Sequence, residues 1–532
     1  GVARALLSRA ADLFEKVGKE REAERARELL KQAEQGGPWR PPAIEAPAAA
    51  PAGAVEVLLV NAPRDPAPSG ASRCQDFRMP LGLMYISAFL KRRGVAARVL
   101  DAEAQSLGIS GIVAAACELA PRVVGLNCHT LNRHVVYEAA RALRSVVPDA
   151  VIVLGGAHPA LAPELTLREC TAADAVALGE GERVMYELCR RPGELQAVPG
   201  ICWRLGGEVR RNPEMPRVRD LDSLGTPDLE GLPVQDYLRY EEPALPGLWR
   251  RAYLSASRGC RFHCSFCTEH RFWTPGVSSR TAESVAAEIE MYRARHGTHR
   301  FYFYDDTLTD WPGLPEFCRL AGALGVQWSC STRIDEVNAE RLAMMHAGGC
   351  REIAFGLESG SERSLHRMGK GWERKKSRVQ VGETLRLCTE HGIRPRTHFM
   401  LGFPWEERDD LTETVRFAVG LKEYSLDDVN FFVVKVYPGT PFQADVQHLM
   451  AERGLREEEV YDAWSVYDWY GEPHPRVRAK LMRFNDIPRV SLHPHLDALA
   501  LRRLARNAYA LFFGGHGVES VEERLWDGVP WS

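Results

Sequence analysis

The sequence lacks both a block of charge of one sign and a long apolar run. Its 68 Lys and Arg residues are interspersed with 71 Asp and Glu residues, and the formal net charge is -3. A positive surface for nucleic acid is therefore not expected. No apolar run reaches the length of about 18 residues that marks a membrane helix, and the amphipathic start is unlike a signal peptide. These patterns predict a soluble, cytoplasmic protein with no nucleic-acid and no membrane partner.

Disulfide bonds are not indicated either. The 13 cysteines are spread along 532 residues, unlike those of a small secreted scaffold. Three of them, Cys260, Cys264 and Cys267, follow one another at short spacing. We expect reduced thiols, some of which bind metal.

The length and an apolar content of 45% favour two or three domains. The first residues have the apolar spacing of a helical hairpin, and a linker rich in Pro and Ala follows. The expected limits are 1–54 for hairpin and linker, 55–215 for a first α/β domain, 216–250 for a connector, 251–440 for a second α/β domain and 441–532 for a mostly helical region.

Short runs rich in Val, Ile and Leu alternate with helix-length segments in the first α/β domain. The runs are VEVLLVNA, ARVLD, VVGLNC, AVIVLGG and AVALGE. They predict a doubly wound parallel sheet, whose ligands bind beyond the carboxyl ends of the strands. Segment 201–211, with its Gly206-Gly207 turn, predicts a β-hairpin. The candidate binding residues at the strand ends are Asn127, His129, Thr130, Gly155, Gly156, His158, Gly179, Glu180, Gly181 and Glu182.

The second α/β domain has six strand-like runs with intervening helices, which predict an incomplete parallel (β/α)6 barrel. The three clustered cysteines follow the first run, where active sites of such folds lie. Three thiolates on one loop can bind three irons of a [4Fe–4S] cluster and leave the fourth iron open. The alternative is a zinc site completed by His263 or His270.

This loop, CRFHCSFC, resembles that of the radical S-adenosylmethionine (SAM) superfamily, and further similarity lies in FYFYDDT, WSCSTRID, GLESGS and FMLGFPWE. The resemblance implies a [4Fe–4S] cluster whose open iron binds SAM. It also implies a 5′-deoxyadenosyl radical formed with an electron from a donor such as flavodoxin or ferredoxin. The expected SAM contacts are Phe266, Asp305, Asp306, Ser331, Arg333, Glu358 and Ser359. For Asp306 and Ser359, a helix cap is the alternative role.

The first α/β domain resembles that of the cobalamin-dependent branch of this superfamily. The similar segments are PLGLMYISAFLKRRG, VVGLNCHT, VLGGAHPALAPE and ALGEGE. The resemblance implies cobalamin at the strand-end residues given above. An Asp-x-His-x-x-Gly signature of a histidine ligand to cobalt is absent. We therefore expect the loop 61–80, with Arg64, Arg73, Cys74 or Arg78, to approach the lower face, and His129 and His158 are the alternatives.

The resemblance implies a methyltransferase acting on an unactivated carbon or on phosphorus of a small-molecule or peptide substrate. The radical abstracts a substrate hydrogen atom, the methyl group comes from methylcobalamin, and a second SAM regenerates it. Cyclisation, ring contraction or oxidation with the same cofactors is one alternative. A non-catalytic cobalamin carrier or sensor with a structural cluster is an alternative of another class. A methylthiotransferase is disfavoured, because the other cysteines before residue 200 are scattered.

Overall fold

The computed structural model describes residues 27, 55–63, 78–239, 251–273, 276–461, 463–464, 487–488 and 490–531. The predicted linker, nearly all of the predicted helical hairpin and the loop residues Arg64, Arg73 and Cys74 lie outside these ranges. The chain forms two compact units. Unit 1 comprises Gly1–Arg219 and Ser223–Tyr237, and unit 2 comprises Asp220–Asp222 and Leu238–Ser532. The domain limits expected from the sequence stay predictions.

Unit 1 contains one seven-stranded sheet. Its strands are β1 (Val57–Asn61), β2 (Ala97–Asp101), β3 (Val123–Asn127), β4 (Val151–Gly155), β5 (Ala175–Ala177), β6 (Ile201–Leu205) and β7 (Glu208–Arg211). They lie in the order β2-β1-β3-β4-β5-β6-β7, and the first five are parallel. The predicted doubly wound parallel sheet is confirmed. The predicted hairpin, β6 and β7, extends the sheet in antiparallel orientation.

Helices pack on both faces of this sheet. They are α1 (Leu81–Lys91), α2 (Ile109–Leu119), α3 (Arg133–Val146), α4 (Ala157–Leu161), α5 (Pro163–Glu169) and α6 (Gly181–Arg190), and α7 (Val234–Arg239) follows them. In β1, Val57 and Leu59 belong to the core with α1 and α6, whereas Leu58 and Val60 belong to the core with α2 and α3. Successive side chains of a strand point to opposite faces, so a strand covered on both faces is a continuous apolar run.

Unit 2 contains a six-stranded parallel sheet in the order β15-β14-β13-β12-β11-β8. The strands of this unit are β8 (Ala252–Leu254), β9 (Ser257–Arg258), β10 (Ser278–Ser279), β11 (Arg300–Phe303), β12 (Gln327–Thr332), β13 (Cys350–Glu358), β14 (Arg394–Leu401), β15 (Val429–Val433), β16 (Ala463–Trp464) and β17 (Ile487–Pro488). The predicted partial barrel is confirmed. The pairs β9–β10 and β16–β17 are short and antiparallel.

Helices follow the strands of unit 2 and dominate its last part, as predicted. They are α8 (Glu269–Phe272), α9 (Ala282–His296), α10 (Leu314–Leu324), α11 (Ala339–Ala347), α12 (Glu362–Met368), α13 (Arg378–Glu390), α14 (Arg408–Gly420), α15 (Pro441–Glu452), α16 (Glu457–Val460), α17 (Ala498–Phe513) and α18 (Val521–Leu525). The ends of α9 show why it has these bounds, since Thr281 caps its first turn and Gly297 ends it at φ 66°. Among the described residues, no helix is both long and apolar enough to span a membrane.

The two faces of the six-stranded sheet differ in burial. One face is fully buried and carries Phe301, Phe303, Trp328, Cys330, Ile353, Phe355 and Leu401. The other face is less buried: Ser329, Ala354 and Arg396 on it are buried, but it also carries half-buried residues, namely Tyr302, Ser331, Gly356, His398, Met400 and Phe432. This alternation follows from the two-residue period of a strand. The less buried face is therefore the open interior of the partial barrel, where a ligand can reach the strands.

Candidate active site

The three clustered cysteines lie on the loop between β9 and α8. Cys264 is buried, Cys260 and Cys267 are half-buried, and all three are free of disulfide bonds. Within the described ranges, no three His, Cys, Asp or Glu side chains are arranged to hold one metal ion. Burial raises the pKa of Cys260 and that of Cys267. Their thiolates therefore need a nearby cation, which the irons of a cluster would provide.

Two helices fix the backbone of this loop. The N–H of Ser265 donates to the carbonyl of Met368 in α12 at 2.8 Å, and the carbonyl of Ser265 accepts from the N–H of Phe442 in α15 at 2.9 Å. Within the loop, the N–H of Cys267 donates to the carbonyl of Cys264 at 3.1 Å. The positions of the cysteines are thus set by the helices of unit 2.

Arginine contacts hold the other part of the loop. Arg261 makes ion pairs with Asp310 at 3.0 Å and with Glu336 at 2.8 Å. The next residue, Phe262, places its ring centroid 4.0 Å from the guanidinium carbon of Arg333 in a cation–π contact. The cysteine loop is therefore in direct contact with one of the predicted SAM-binding residues.

Arg333 keeps one donor without a protein acceptor. Its Nε and Nη2 donate to Asp335 at 2.9 and 3.2 Å, and Nη2 also donates to the carbonyl of Lys370 at 2.6 Å. Its Nη1 is buried and has no hydrogen-bond partner among the described residues. Leaving such a donor unpaired costs about 1–3 kcal/mol. This donor belongs to a cation, so its favoured partner is a carboxylate. SAM carries a carboxylate, and the residues present therefore fit SAM.

Glu358 combines an unusual backbone conformation with a buried ion pair. Its φ is 68°, which non-glycine residues rarely adopt, and the pairing of β13 with β14 is irregular between Gly356 and Glu358. Its Oε1 accepts from Nζ of Lys370 at 2.8 Å. A Cβ on Gly356 would lie 2.9 Å from this Nζ. The sequence prediction did not include Lys370, which follows α12 and reaches Glu358 only through the fold.

Two predicted SAM contacts bond to the protein itself. Oδ1 of Asp305 accepts from the hydroxyl of Ser257 at 2.5 Å, and Oδ2 accepts from the N–H of Ala256 at 3.0 Å. Burial raises the pKa of Asp305 to about 6. The buried hydroxyl of Ser359 lies 2.8 Å from that of Thr414. Asp305 thus fixes the start of the cysteine loop, and a contact of either residue with SAM stays a prediction.

The other predicted contacts are more accessible. The hydroxyl of Ser331 lies 3.0 Å from that of Tyr302 on the open face of the barrel. The ring of Phe266 packs edge-on against Phe403, with 6.0 Å between the centroids. Asp306 is exposed. The structure therefore brings Ser331, with Arg333 and Glu358, to the open end of adjacent strands.

Sequence reasoning missed a polar pair deeper in the barrel. Nδ2 of Asn430 lies 2.9 Å from Nδ1 of His398, and the centroid of the His398 ring lies 5.5 Å from that of Phe432. The alternation in RPRTHFML was a usable signal, because it places His398 on the same face as Met400. His398 and Met400 are both half-buried, whereas Asn430 is buried.

Polar side chains end three adjacent strands of unit 1. Nδ2 of Asn61 donates to Oδ1 of Asp101 at 3.0 Å, and Nδ2 of Asn127 donates to Oδ1 of Asn61 at 3.2 Å. The same Nδ2 of Asn127 lies 3.3 Å from Nε2 of the exposed His129. Of the predicted cobalamin contacts, Asn127 and His129 are thus part of one hydrogen-bonded row at the ligand-binding edge of the sheet.

Four other predicted cobalamin contacts are hydrogen-bonded to the protein or buried in it. Nδ1 of the buried His158 lies 3.1 Å from the hydroxyl of Thr130, and burial lowers the pKa of His158 to about 3. Oε2 of Glu180 accepts from the N–H of Val218 at 2.5 Å. Glu182 is buried. Contacts of these side chains with cobalamin stay predictions.

Glycines give the same edge an exposed backbone. Gly156 has a φ of 107°, and a Cβ there would lie 2.6 Å from the carbonyl oxygen of Cys128. Gly179 has a φ of 80°, and its missing Cβ would face open space. Gly155 ends β4, whereas a Cβ on Gly181 would meet Ile86 at 2.5 Å. A bulky ligand can therefore approach the backbone at Gly179, so this edge fits cobalamin.

Comparison with known families decides what the two units are. Residues 77–189 match the B12 binding domain, and residues 254–418 match the radical SAM superfamily. The chain is a cobalamin-binding radical SAM enzyme. The family prediction is confirmed, and so is the predicted cofactor set of a [4Fe–4S] cluster, SAM and cobalamin.

This radical SAM enzyme is similar to proteins with two kinds of activity. An uncharacterized methyltransferase of Pyrococcus horikoshii is 29% identical over 367 residues, which cover 68% of this chain and 77% of that protein. The anaerobic magnesium-protoporphyrin IX monomethyl ester cyclase of Cereibacter sphaeroides is 27% identical over 416 residues, which cover 75% of this chain and 64% of that protein. The enzyme is thus of the methyltransferase-like class, in which cyclisation also occurs.

A solved structure has a similar fold. It is that of the radical SAM methyltransferase TsrM from Kitasatospora setae, with cobalamin and a [4Fe–4S] cluster bound. The TM-score is 0.60, the identity is 16%, and the match covers 89% of this chain and 99% of that one. At this identity the likeness concerns the fold alone.

Proposed function

We propose that this enzyme is a methyltransferase that acts on an unactivated carbon or on phosphorus of a small-molecule or peptide substrate. Support comes from the pairing of a B12 binding domain with a radical SAM domain and from the methyltransferase among its relatives. When bound, the cofactors supply a 5′-deoxyadenosyl radical that abstracts a substrate hydrogen atom and a methyl group on cobalamin that a second SAM regenerates.

The observation that carries this proposal is that the cysteine loop contacts buried polar residues, namely Arg333 and the pair of Glu358 and Lys370 next to it. We infer that Cys260, Cys264 and Cys267 hold the cluster, because one loop presents all three at the end of β8 and β9. Arg333 offers its unpaired Nη1 to the carboxylate of SAM. Glu358, held by Lys370, offers acceptors to the ammonium group.

The proposed enzyme needs a reductant. An open iron must receive one electron before SAM is cleaved, and flavodoxin or ferredoxin is the donor we propose. Such small electron carriers act in the cytoplasm, which is the location that we propose for this enzyme.

Methyl-labelled SAM tests the proposal. Reconstituted enzyme with cobalamin, reductant and a candidate substrate should place the labelled methyl group in the product, with 5′-deoxyadenosine formed in step. Formation of 5′-deoxyadenosine and a changed product, without label in that product, would overturn the methyltransferase proposal.

The second candidate is radical chemistry without methyl transfer. The cyclase of Cereibacter sphaeroides favours it, because that protein matches 75% of the chain. Methylation would raise the product mass by one methylene unit, whereas radical chemistry without methyl transfer would not add this unit. A carrier or sensor without catalysis would form neither product nor 5′-deoxyadenosine in the wild type. Turnover that survives in the triple variant Cys260→Ala, Cys264→Ala and Cys267→Ala would exclude any radical mechanism at this loop.

A further inference from the structure

The guanidinium group of Arg333 is held by three other residues of unit 2. Asp335 accepts from its Nε and Nη2, and the carbonyl of Lys370 also accepts from Nη2. The guanidinium carbon lies over the ring of Phe262, 4.0 Å from the ring centroid. Nη1 is the buried donor that has no hydrogen-bond partner among the described residues. The position of this donor therefore depends on the three residues that hold the rest of the group.

Phe262 differs from the other two supports, because it belongs to the cysteine loop. It lies between Cys260 and Cys264, which we infer to hold the cluster. A ligand that binds both an iron and Nη1 of Arg333 requires a fixed separation between the loop and the guanidinium group. The contact between Phe262 and Arg333 joins these two parts of the site directly.

Ion pairs connect the loop to Arg333 a second time, but indirectly. Arg261 of the loop pairs with Glu336 at 2.8 Å. Lys375 pairs with Glu336 at 3.1 Å and with Asp335 at 3.0 Å, and Asp335 binds Arg333. Because Arg261 and Lys375 are each 54% exposed, water and salt screen these pairs. The side chain of Arg333 is 6% exposed, and a cation–π contact is strongest for a desolvated cation. The aromatic contact is therefore the stronger of the two connections.

We propose that Phe262 is a positioning residue for SAM that acts through Arg333. Its ring face attracts the guanidinium group and keeps Nη1 in place relative to the cysteine loop. A carboxylate has two oxygens, so one can bind iron while the other accepts from Nη1. The loop that holds the cluster thus also supports the donor for the carboxylate of SAM. This inference rests on the proposed binding of SAM at the cluster and is independent of methyl transfer.

The first test is the Kd for SAM of the reconstituted full chain. Phe262→Leu removes the ring but keeps an apolar side chain, and it should raise this Kd about fivefold, as expected for a lost desolvated cation–π contact. Phe262→Tyr keeps the ring, so its Kd should stay within about twofold of the wild type. Iron content and the electron paramagnetic resonance (EPR) spectrum of the reduced cluster without SAM should not change. An unchanged Kd in Phe262→Leu would overturn the proposal.

A ligand without a carboxylate separates positioning from damage to the loop. 5′-Methylthioadenosine lacks the amino acid part of SAM, so its Kd should be the same in Phe262→Leu and in the wild type. Equal weakening of both ligands would indicate a merely structural role and would overturn the proposal. Phe272→Leu is the matched control, because the half-buried ring of Phe272 packs edge-on against Trp273 and lies under no arginine in the described part of the chain. Both Kd values should be unchanged in it.

A double-variant cycle tests whether Phe262 acts through Arg333. Arg333→Gln removes the cation that the ring attracts, and Asp335 keeps its ion pair with Lys375. In this background, Phe262→Leu should change the Kd for SAM by less than about twofold, because the coupled partner is gone. A loss as large as in the wild-type background would overturn the proposed route.

Trifluorophenylalanine at position 262 keeps the proposal testable if Phe262→Leu assembles less iron. Fluorine atoms weaken the negative face of the ring and change its shape little. We expect a Kd for SAM about two- to fivefold above that of the wild type at full iron content. An equal Kd would overturn the proposal. No readout here involves methylation, so failure of the proposed function would be seen separately.

Discussion

At the scale of single residues, Gly356 determines how closely the buried groups of the barrel interior can pack. The oxygen Oε1 of Glu358 and Nζ of Lys370 both lie where a Cβ of residue 356 would be. Glycine is therefore required for the ion pair that holds Glu358 in its left-handed backbone conformation. Such conformations cost about 1–3 kcal/mol and persist only where neighbouring contacts compensate.

The variant Gly356→Ala should weaken SAM binding. Its methyl group would displace Lys370 or Glu358, so we expect the Kd for SAM to rise about tenfold or more, which corresponds to about 1.4 kcal/mol. Iron content should remain at the wild-type level, because the cysteine loop is fixed by Met368 and Phe442. Equilibrium binding to the reconstituted protein measures the effect.

Gly420→Ala is the control for this substitution. A Cβ there would meet only Val518 at 3.6 Å, an ordinary contact, at the end of α14. SAM affinity should be unchanged in this variant. Equal affinity in Gly356→Ala and wild type would show that the Glu358–Lys370 pair does not bind SAM.

Residue types indicate the chemistry of a site better than they indicate which side chains contact one another. The cysteine spacing was readable because cluster ligands must share a short loop. The resemblance implies that Asp305 contacts SAM, and this stays a prediction. That its oxygens accept from Ala256 and Ser257 could not be read from the sequence. Lys370 could not be found, since no sequence spacing connects it with Glu358.

At the scale of elements, buried charges join the amino ends of the barrel strands. Nε of Arg396 in β14 donates to Asp428, just before β15, at 2.9 Å, and its Nη2 donates to Glu352 of β13 at 3.1 Å. Burial by itself would raise the pKa of Glu352, but the charges of Arg396 and Arg251 outweigh burial and lower it. This end of a barrel contributes stability, whereas catalysis lies at the other end.

Arg396→Met should destabilise unit 2. It leaves the buried carboxylates of Glu352 and Asp428 without the guanidinium between them, which costs about 3–5 kcal/mol for a broken buried pair. Urea unfolding followed by tryptophan fluorescence measures the loss. Arg394→Met is the matched control, because Arg394 contacts the same two acids from a side chain that is 37% exposed. Its loss should be about 1 kcal/mol or less, and equal losses in the two variants would contradict this account.

The strands were easier to predict than the pairing of strands at the edge of the sheet. The runs from VEVLLVNA to AVALGE are apolar throughout, because helices cover both faces of β1 to β5. The hairpin was visible from its Gly206-Gly207 turn, where both residues have positive φ. Its attachment to β5 was not visible, since only tertiary packing selects the edge to which a hairpin pairs.

At the scale of the whole molecule, each unit supplies a different part of the chemistry. The matched families assign cobalamin to the first unit and radical SAM chemistry to the second. Neither family determines the product, because a methyltransferase and a cyclase are both similar to this chain, over 68% and 75% of its length. Composition and strand periodicity predicted both folds, and the substrate depends on contacts that no local pattern records.

The central claim is that Cys260, Cys264 and Cys267 hold a cluster whose fourth iron binds SAM. The most direct test is the EPR spectrum of the reduced, reconstituted full chain before and after SAM is added. We expect the signal of a [4Fe–4S] cluster whose g values shift with SAM, and loss of this signal in the triple cysteine variant. A cluster signal that SAM does not change would indicate four protein ligands and would contradict the claim.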